Sequence, residues 1–117
     1  EVIIPGIEGD FGVLPGHTPL LTALRVGEMT YRKGSKSEYI AIEGGGLVEV
    51  SSDKVIVLAD AAEHGSEINL QEAIERKLHA EDVLKNERQI DAQKFRAMEA
   101  RLKVELTKIQ IAERYKL

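Results

Sequence analysis

All ten glycines and all three prolines of this 117-residue chain lie in residues 1–65, and residues 66–117 contain none. Glycine and proline punctuate turns and interrupt helices. The front half is therefore free to reverse direction often, and the rear half can run as unbroken helix. Charge divides at the same place. Through Gly65 there are 5 Lys+Arg against 10 Asp+Glu, and from Ser66 onward 11 against 10. The rear half carries dense charge of both signs, as expected of a solvated helical segment with i,i+4 pairs. The fold class expected is α+β, an N-terminal antiparallel β-sandwich over 1–65 followed by a C-terminal antiparallel two-helix hairpin over 66–117.

Short apolar runs separated by turn signals fill the front half. Val2-Ile3-Ile4 reads as a strand stopped by Pro5-Gly6, and Gly9-Asp10-Phe11-Gly12 as a turn before Val13-Leu14 and Pro15-Gly16. Met29 and Tyr31 alternate with polar Glu28, Thr30 and Arg32, the period-2 pattern of a half-buried strand. Tyr39–Ile42 and Leu47–Val50 read as the next two strands. Ser51–Lys54 then makes a hairpin connection into Val55–Leu58, a run apolar enough to expect burial on both faces. Several short strands at this spacing indicate a sandwich or barrel. The first residues already read as strand, so at least one further strand is expected upstream.

In the rear half, Asn69 and Glu72 have capping-box spacing, and Leu70, Ala73, Ile74 and Leu78 recur at helical intervals. The stripe weakens at Glu81-Asp82 and resumes at Val83 and Leu84. Asn86–Gln89 reads as a polar link and Asp91 as the cap of a second helix. That helix is expected to bury Phe95, Met98, Leu102, Leu106 and Ile109, spaced by three or four. Two helices meeting along one stripe are marginal alone, so the hairpin should need a third surface and exchange it readily.

Self-contained chemistry is not visible. The chain has no cysteine, which excludes disulfides, thiolate zinc sites and a thiol nucleophile. His17, His64 and His79 lack metal-ligand spacing. Gly44-Gly45-Gly46 is not followed by Gly-Lys-Ser/Thr and reads as a tight strand connection or bulge needing φ > 0. No nucleophile elbow or acid–base pair is apparent, so no catalytic residue is assigned. A net charge of −4 argues against a nucleic-acid backbone as partner. No run of 18 apolar residues is present, so no membrane-spanning helix is expected.

The block Gly9-Asp10-Phe11-Gly12-Val13-Leu14-Pro15-Gly16-His17-Thr18-Pro19-Leu20-Leu21 resembles the signature of the epsilon subunit of bacterial and chloroplast-type rotary ATP synthases. Glu43–Val50 resembles that family's Gly-Gly segment and Val55–Ala62 its last strand and exit, with a charged helical hairpin after them. The resemblance covers essentially all 117 residues.

The resemblance implies a non-catalytic central-stalk subunit. It would couple rotation of the gamma subunit and c-ring to the catalytic head, peripheral to the cytoplasmic face of a bacterial cell membrane, touching membrane only through the complex. By that resemblance Asp10 faces the c-ring and His17 lies near gamma. Turn chemistry alone is the competing explanation of each. The hairpin would inhibit ATP hydrolysis when extended, its Arg96, Arg101, Lys103, Lys108 and Arg114 meeting acidic segments of the beta (and alpha) subunits of the head. A merely solvated helix face is the alternative for each of these cations. Some relatives bind ATP through Ile-Asp-x-x-Arg-Ala at the first helix. Here that place reads Ile68-Asn69-Leu70-Gln71-Glu72-Ala73, with an acid where a phosphate-facing cation would sit. No cofactor is therefore expected, and no metal. The second functional class kept open is a small nucleotide-sensing binding domain with a helical lid.

Overall fold

The computed structural model describes residues 1–16, 18–87 and 89–115. Among these, the front half forms two antiparallel sheets. In chain order the strands are β1 (Val2–Gly6), β2 (Gly9–Val13), β3 (Leu20–Ala23), β4 (Gly27–Lys33), β5 (Lys36–Ile42), β6 (Gly46–Val50), β7 (Val55–Ala59) and β8 (Ala62–His64). One sheet has the order β2-β1-β4-β5-β8 and the other β3-β6-β7. Ile4, Val13, Leu24, Ile42, Val48 and Val50 fill the space between them, with Phe11, Met29, Ile40, Val55 and Val57 packed against that cluster.

Local signals and final strands differ at three places. Pro5-Gly6 does not stop β1; the reversal comes at Ile7-Glu8, and Gly9–Gly12 is strand, paired Gly6↔Gly9 through Val2↔Val13. Proline is tolerated in β1 because pairing with β4 reaches only Ile3. β7 is not buried on both faces. Val55, Val57 and Ala59 face the core, whereas Ile56 and Leu58 are exposed. β3 and β8 carried no clear local pattern and are set by pairing, Leu20↔Val50 through Ala23↔Leu47 and Ile40↔His64 through Ile42↔Ala62. Of the three consecutive glycines, Gly46 takes positive φ (152°), and a Cβ there would stand 2.1 Å from the Leu58 carbonyl oxygen.

A 3-10 turn at Gly65–Glu67 leads into α1 (Leu70–Asn86) and α2 (Ala92–Tyr115). Both helix starts match their caps. Asn69 Oδ1 accepts from the Glu72 N–H at 3.0 Å, and Asp91 Oδ1 from the Lys94 N–H at 2.7 Å. Lys94 Nζ reaches Glu87 Oε1 at 2.7 Å and ties the link to α2.

The expected stripe holds on α1 at Ala73 and Val83 but not at Leu78, and on α2 the fully buried face is a different one. On α1, Ala73, Ala80 and Val83 are buried and Leu78 is exposed. On α2, Val104, Glu105, Lys108, Ile111 and Ala112 are buried, while Phe95 and Leu106 lie partly in solvent. The hairpin folds back on the five-stranded sheet, so α2 must serve α1 with one side and strands β4 and β5 with another. Ala41 shows the result. It alternates out of phase with core-facing Ile40 and Ile42, yet is only 1% exposed because α2 lies against β5.

Candidate functional site

Three surfaces carry chemistry. The first is the sandwich end around the Ile7-Glu8 turn. Asp10 stands on strand β2 beside this turn, not within a turn as its glycine neighbours suggested. Its carboxylate is more than half exposed and pairs with Arg25. Such a pair holds an acid in place while leaving it accessible to an external cation. His17, the other residue of this block, lies outside the described residues.

The second surface is the outer face of the three-stranded sheet. Cross-strand register aligns Leu21 with Glu49 and Glu49 with Ile56. It also aligns Ala23 with Leu47 and Leu47 with Leu58. Leu21, Leu47, Ile56 and Leu58 are 65%, 50%, 38% and 64% exposed. Four large aliphatic side chains on one sheet face, interrupted by a single carboxylate, form an apolar patch of the kind that marks a protein contact. The local sequence carried a signal for it: Ile56 and Leu58 are apolar at positions where alternation calls for polar residues.

The third is the seam between the hairpin and the five-stranded sheet. Lys108 Nζ lies 2.9 Å from Glu43 Oε1 and 3.2 Å from Glu63 Oε1. Burial opposes its charge, but the bonds and fields of Glu43 and Glu63 outweigh this and hold the ammonium above its ordinary pKa. Arg114 pairs with Glu28 and stacks over the Tyr39 ring, 4.8 Å from its centroid. Burial raises the Glu28 carboxyl above its ordinary value although Arg114 pulls the other way. The Tyr115 hydroxyl accepts from the Tyr39 N–H at 2.9 Å and donates to Glu38 Oε2 at 3.1 Å. His64 Nε2 meets the same Glu38 oxygen at 3.0 Å. Burial, with Glu38 adding to it, lifts the Tyr115 phenol above its ordinary pKa.

The five cations of α2 do not share a face. At about 100° per residue, Arg96, Lys103 and Arg114 project within about 20° of one another, with Arg101 and Lys108 about 120–140° away. Lys108 is committed to the seam, Arg114 to Glu28 and Arg101 to Glu105 at 3.3 Å. Arg96 and Lys103 are exposed. Spacing could not reveal this, because Glu43 and Glu28 lie more than 60 residues upstream of their partners.

The altered nucleotide motif is also spoken for. Asn69 caps α1, Glu72 pairs with Arg76, and Ala73 is buried. Ile68, Asn69, Glu72 and Ala73 line a cavity of about 60 Å³ with Glu63, Arg76, Glu105 and Lys108. Glu105 is fully buried, and its Oε1 has no hydrogen-bond partner among the described residues. Among those residues no cluster of His, Cys, Asp or Glu could hold a metal ion.

Residues 1–65 match the family model described as ATP synthase, Delta/Epsilon chain, beta-sandwich domain. The chain belongs to this family. An ATP synthase epsilon chain of Syntrophotalea carbinolica is 45% identical over 114 residues, covering 97% of this chain and 81% of that protein. The epsilon chain of Dehalococcoides mccartyi is 39% identical over 113 residues, covering 97% and 79%. Two solved structures share the fold. One is a chain of the Euglena gracilis mitochondrial ATP synthase OSCP/F1/c-ring assembly, with TM-score 0.77 and 22% identity, covering 91% of this chain and 65% of that one. The other belongs to the Tetrahymena thermophila mitochondrial central stalk and c-ring, with TM-score 0.55 and 14% identity, covering 95% and 80%. This chain is thus an epsilon-type subunit of the ATP synthase central stalk, and no helix among the described residues is long and apolar enough to cross a membrane.

Proposed function

We propose that this chain docks on the gamma subunit and the c-ring through its sandwich, and brakes ATP hydrolysis in the catalytic head when its helical hairpin leaves the sheet. The observation that carries the reading is the contrast between two faces. The outer face of β3-β6-β7 is apolar and open, suited to a lasting partner such as gamma. The hairpin meets the opposite sheet through ion pairs and hydrogen bonds as well as through Ile111 and Ala41, a mixed contact suited to reversible release. Asp10, accessible beside the Ile7-Glu8 turn, supports a contact with basic c-ring loops. His17 is proposed for gamma on the sequence block alone.

Of the five α2 cations, Arg96 and Lys103 are those open, in the docked hairpin, to an acidic segment of the beta or alpha subunits. Lys108, Arg101 and Arg114 would join them only after release. The division at 65/66 is then the boundary between a fixed docking module and a moving one. The complex would sit at the cytoplasmic face of a bacterial cell membrane, with this subunit peripheral.

At the altered Ile68–Ala73 motif the nucleotide-lid reading finds little support. Ligand pockets for molecules of drug size occupy about 300–1,000 Å³, against the 60 Å³ beside Asn69 and Glu72. Two experiments test the proposal. Removing residues 66–117 should preserve co-purification with gamma and raise the ATPase rate of the assembled head; an unchanged rate would defeat the brake. Millimolar ATP should leave the hairpin's resonances unshifted, and a saturable shift would restore nucleotide sensing.

A further inference from the structure

Strand β8 ends its pairing with β5 at His64↔Ile40, one residue before the ladder would reach Tyr39. The Tyr39 N–H at this vacated edge donates to the Tyr115 hydroxyl at 2.9 Å. A side chain from the last turn of α2 thus takes the position that a longer β8 would have filled. The same hydroxyl bonds Glu38, which also holds His64, so the ends of β8 and α2 are joined through one carboxylate. His64 is fixed in turn by accepting the Ser66 N–H at Nδ1, 3.1 Å away.

The close approach this requires depends on Gly65. A Cβ built there would lie 2.2 Å from the Tyr115 ring and 2.6 Å from Ile111 Cγ2. No ring contact survives at 2.2 Å, so any side chain at 65 must displace the Tyr115 ring and the Ile111 side chain from their seats. Gly65 has no positive φ to require glycine; what requires it is the space.

We infer that Gly65 and Tyr115 form a catch that holds the hairpin on the sheet, with the Tyr115 hydroxyl substituting for a missing strand at the β5 edge. Glycine at 65 lets the last turn of α2 sit down, and the hydroxyl then closes a backbone donor that β8 leaves open. Lys108, about two turns earlier on the same side of α2, aligns the helix over Glu43 and Glu63. Tyr115 is bound to strand edge and carboxylate only while the hairpin is down. Breaking the catch therefore shifts the population toward release without touching the sandwich core. The inference rests on the reading of the hairpin as a moving element, and its test is made on the free chain so that the two can fail separately.

The Tyr39 amide reports the catch directly. In Tyr115→Phe its hydrogen exchange should quicken at least tenfold, while the Ile40 and Ile42 amides inside the ladders keep their protection. Because the chain has no cysteine, spin labels at Ser35→Cys and Lys103→Cys, both exposed positions, are unique. They should give one narrow distance in the parent and a longer, broad distribution with Gly65→Val. If Gly65→Val fails to fold, Tyr115→Phe decides alone. Unchanged Tyr39 exchange in Tyr115→Phe, or a retained narrow distance in folded Gly65→Val, overturns the catch. The brake itself is overturned only by an unchanged ATPase rate on removal of 66–117.

Discussion

The interior of the sandwich and the seam beneath the hairpin are both buried, yet they are made of different chemistry. Between the sheets Ile4, Ile42, Val48 and Val50 are at most 2% exposed, and that cluster is wholly aliphatic. Under α2 the buried set mixes Val104, Ile111 and Ala112 with Lys108 and Glu105, and the bonds to the sheet run through Glu28, Glu38, Glu43 and Glu63. Apolar burial is non-directional and has no partner in water to return to. Ion pairs and hydrogen bonds exchange readily for water, and their net contribution is small. The first interface suits a module that stays folded, the second a contact that can open.

The comparison is most easily broken in the core. Ile42→Ala removes a fully buried side chain and should cost about 2–5 kcal/mol, read as a large fall in the thermal midpoint of the sandwich. A hairpin that detached while the sandwich kept its midpoint would contradict the assignment of Ile42 to the permanent interface.

Lys108→Met is the matching change at the seam. It leaves Glu43 and Glu63 without their cation and should weaken docking by about 2 kcal/mol, discounted because Glu63 is partly exposed. Amide exchange in the outer face of β5 should quicken while core amides such as Val48 do not. Equal loss in both regions would mean that the two interfaces are one cooperative unit.

Alkali sharpens the difference further. Tyr115 and Lys108 have ordinary pKa values of 10.0 and 10.5, and both are raised in the fold. A group raised on folding contributes fully below its ordinary value and loses that contribution as pH climbs through its raised one. Docking should therefore hold constant from neutral pH to about 10 and loosen above it. The Ser35–Lys103 label distance follows this, and Tyr115→Phe should make the loss shallower.

The smallest expected effect on stability is at the open apolar face. Leu58→Ser should change the unfolding free energy by no more than about 0.5 kcal/mol, yet reduce co-purification with gamma. Undiminished capture would remove this face from the proposed contact.

Much of the local architecture was legible in the sequence because it depends on neighbours. Asn69 and Asp91 cap the helices they were expected to cap, and Pro15-Gly16 and Ser51–Lys54 lie between strands as expected. The Gly9–Gly12 strand was misread because its glycines look like a turn. Their pairing with β1, starting at Gly6↔Gly9, overrides local preference. The α2 stripe was misread because periodicity finds one apolar face, whereas this helix packs on two neighbours, one of them lined with carboxylates.

By itself the sequence determined the change from strands to helices, the helix caps and the family signature between Gly9 and Leu21. Each depends on residues close together in the chain. Only the tertiary structure decided which cations of α2 are already taken, where the open apolar face lies, and that Tyr115 finishes the edge of β5. Those contacts join residues 65 to 86 positions apart (Lys108 with Glu43, Tyr115 with Tyr39, Arg114 with Glu28). No local period records such a pairing. It arises only when the closing of the sandwich has set β4, β5 and β8 side by side and the hairpin has somewhere to lie down.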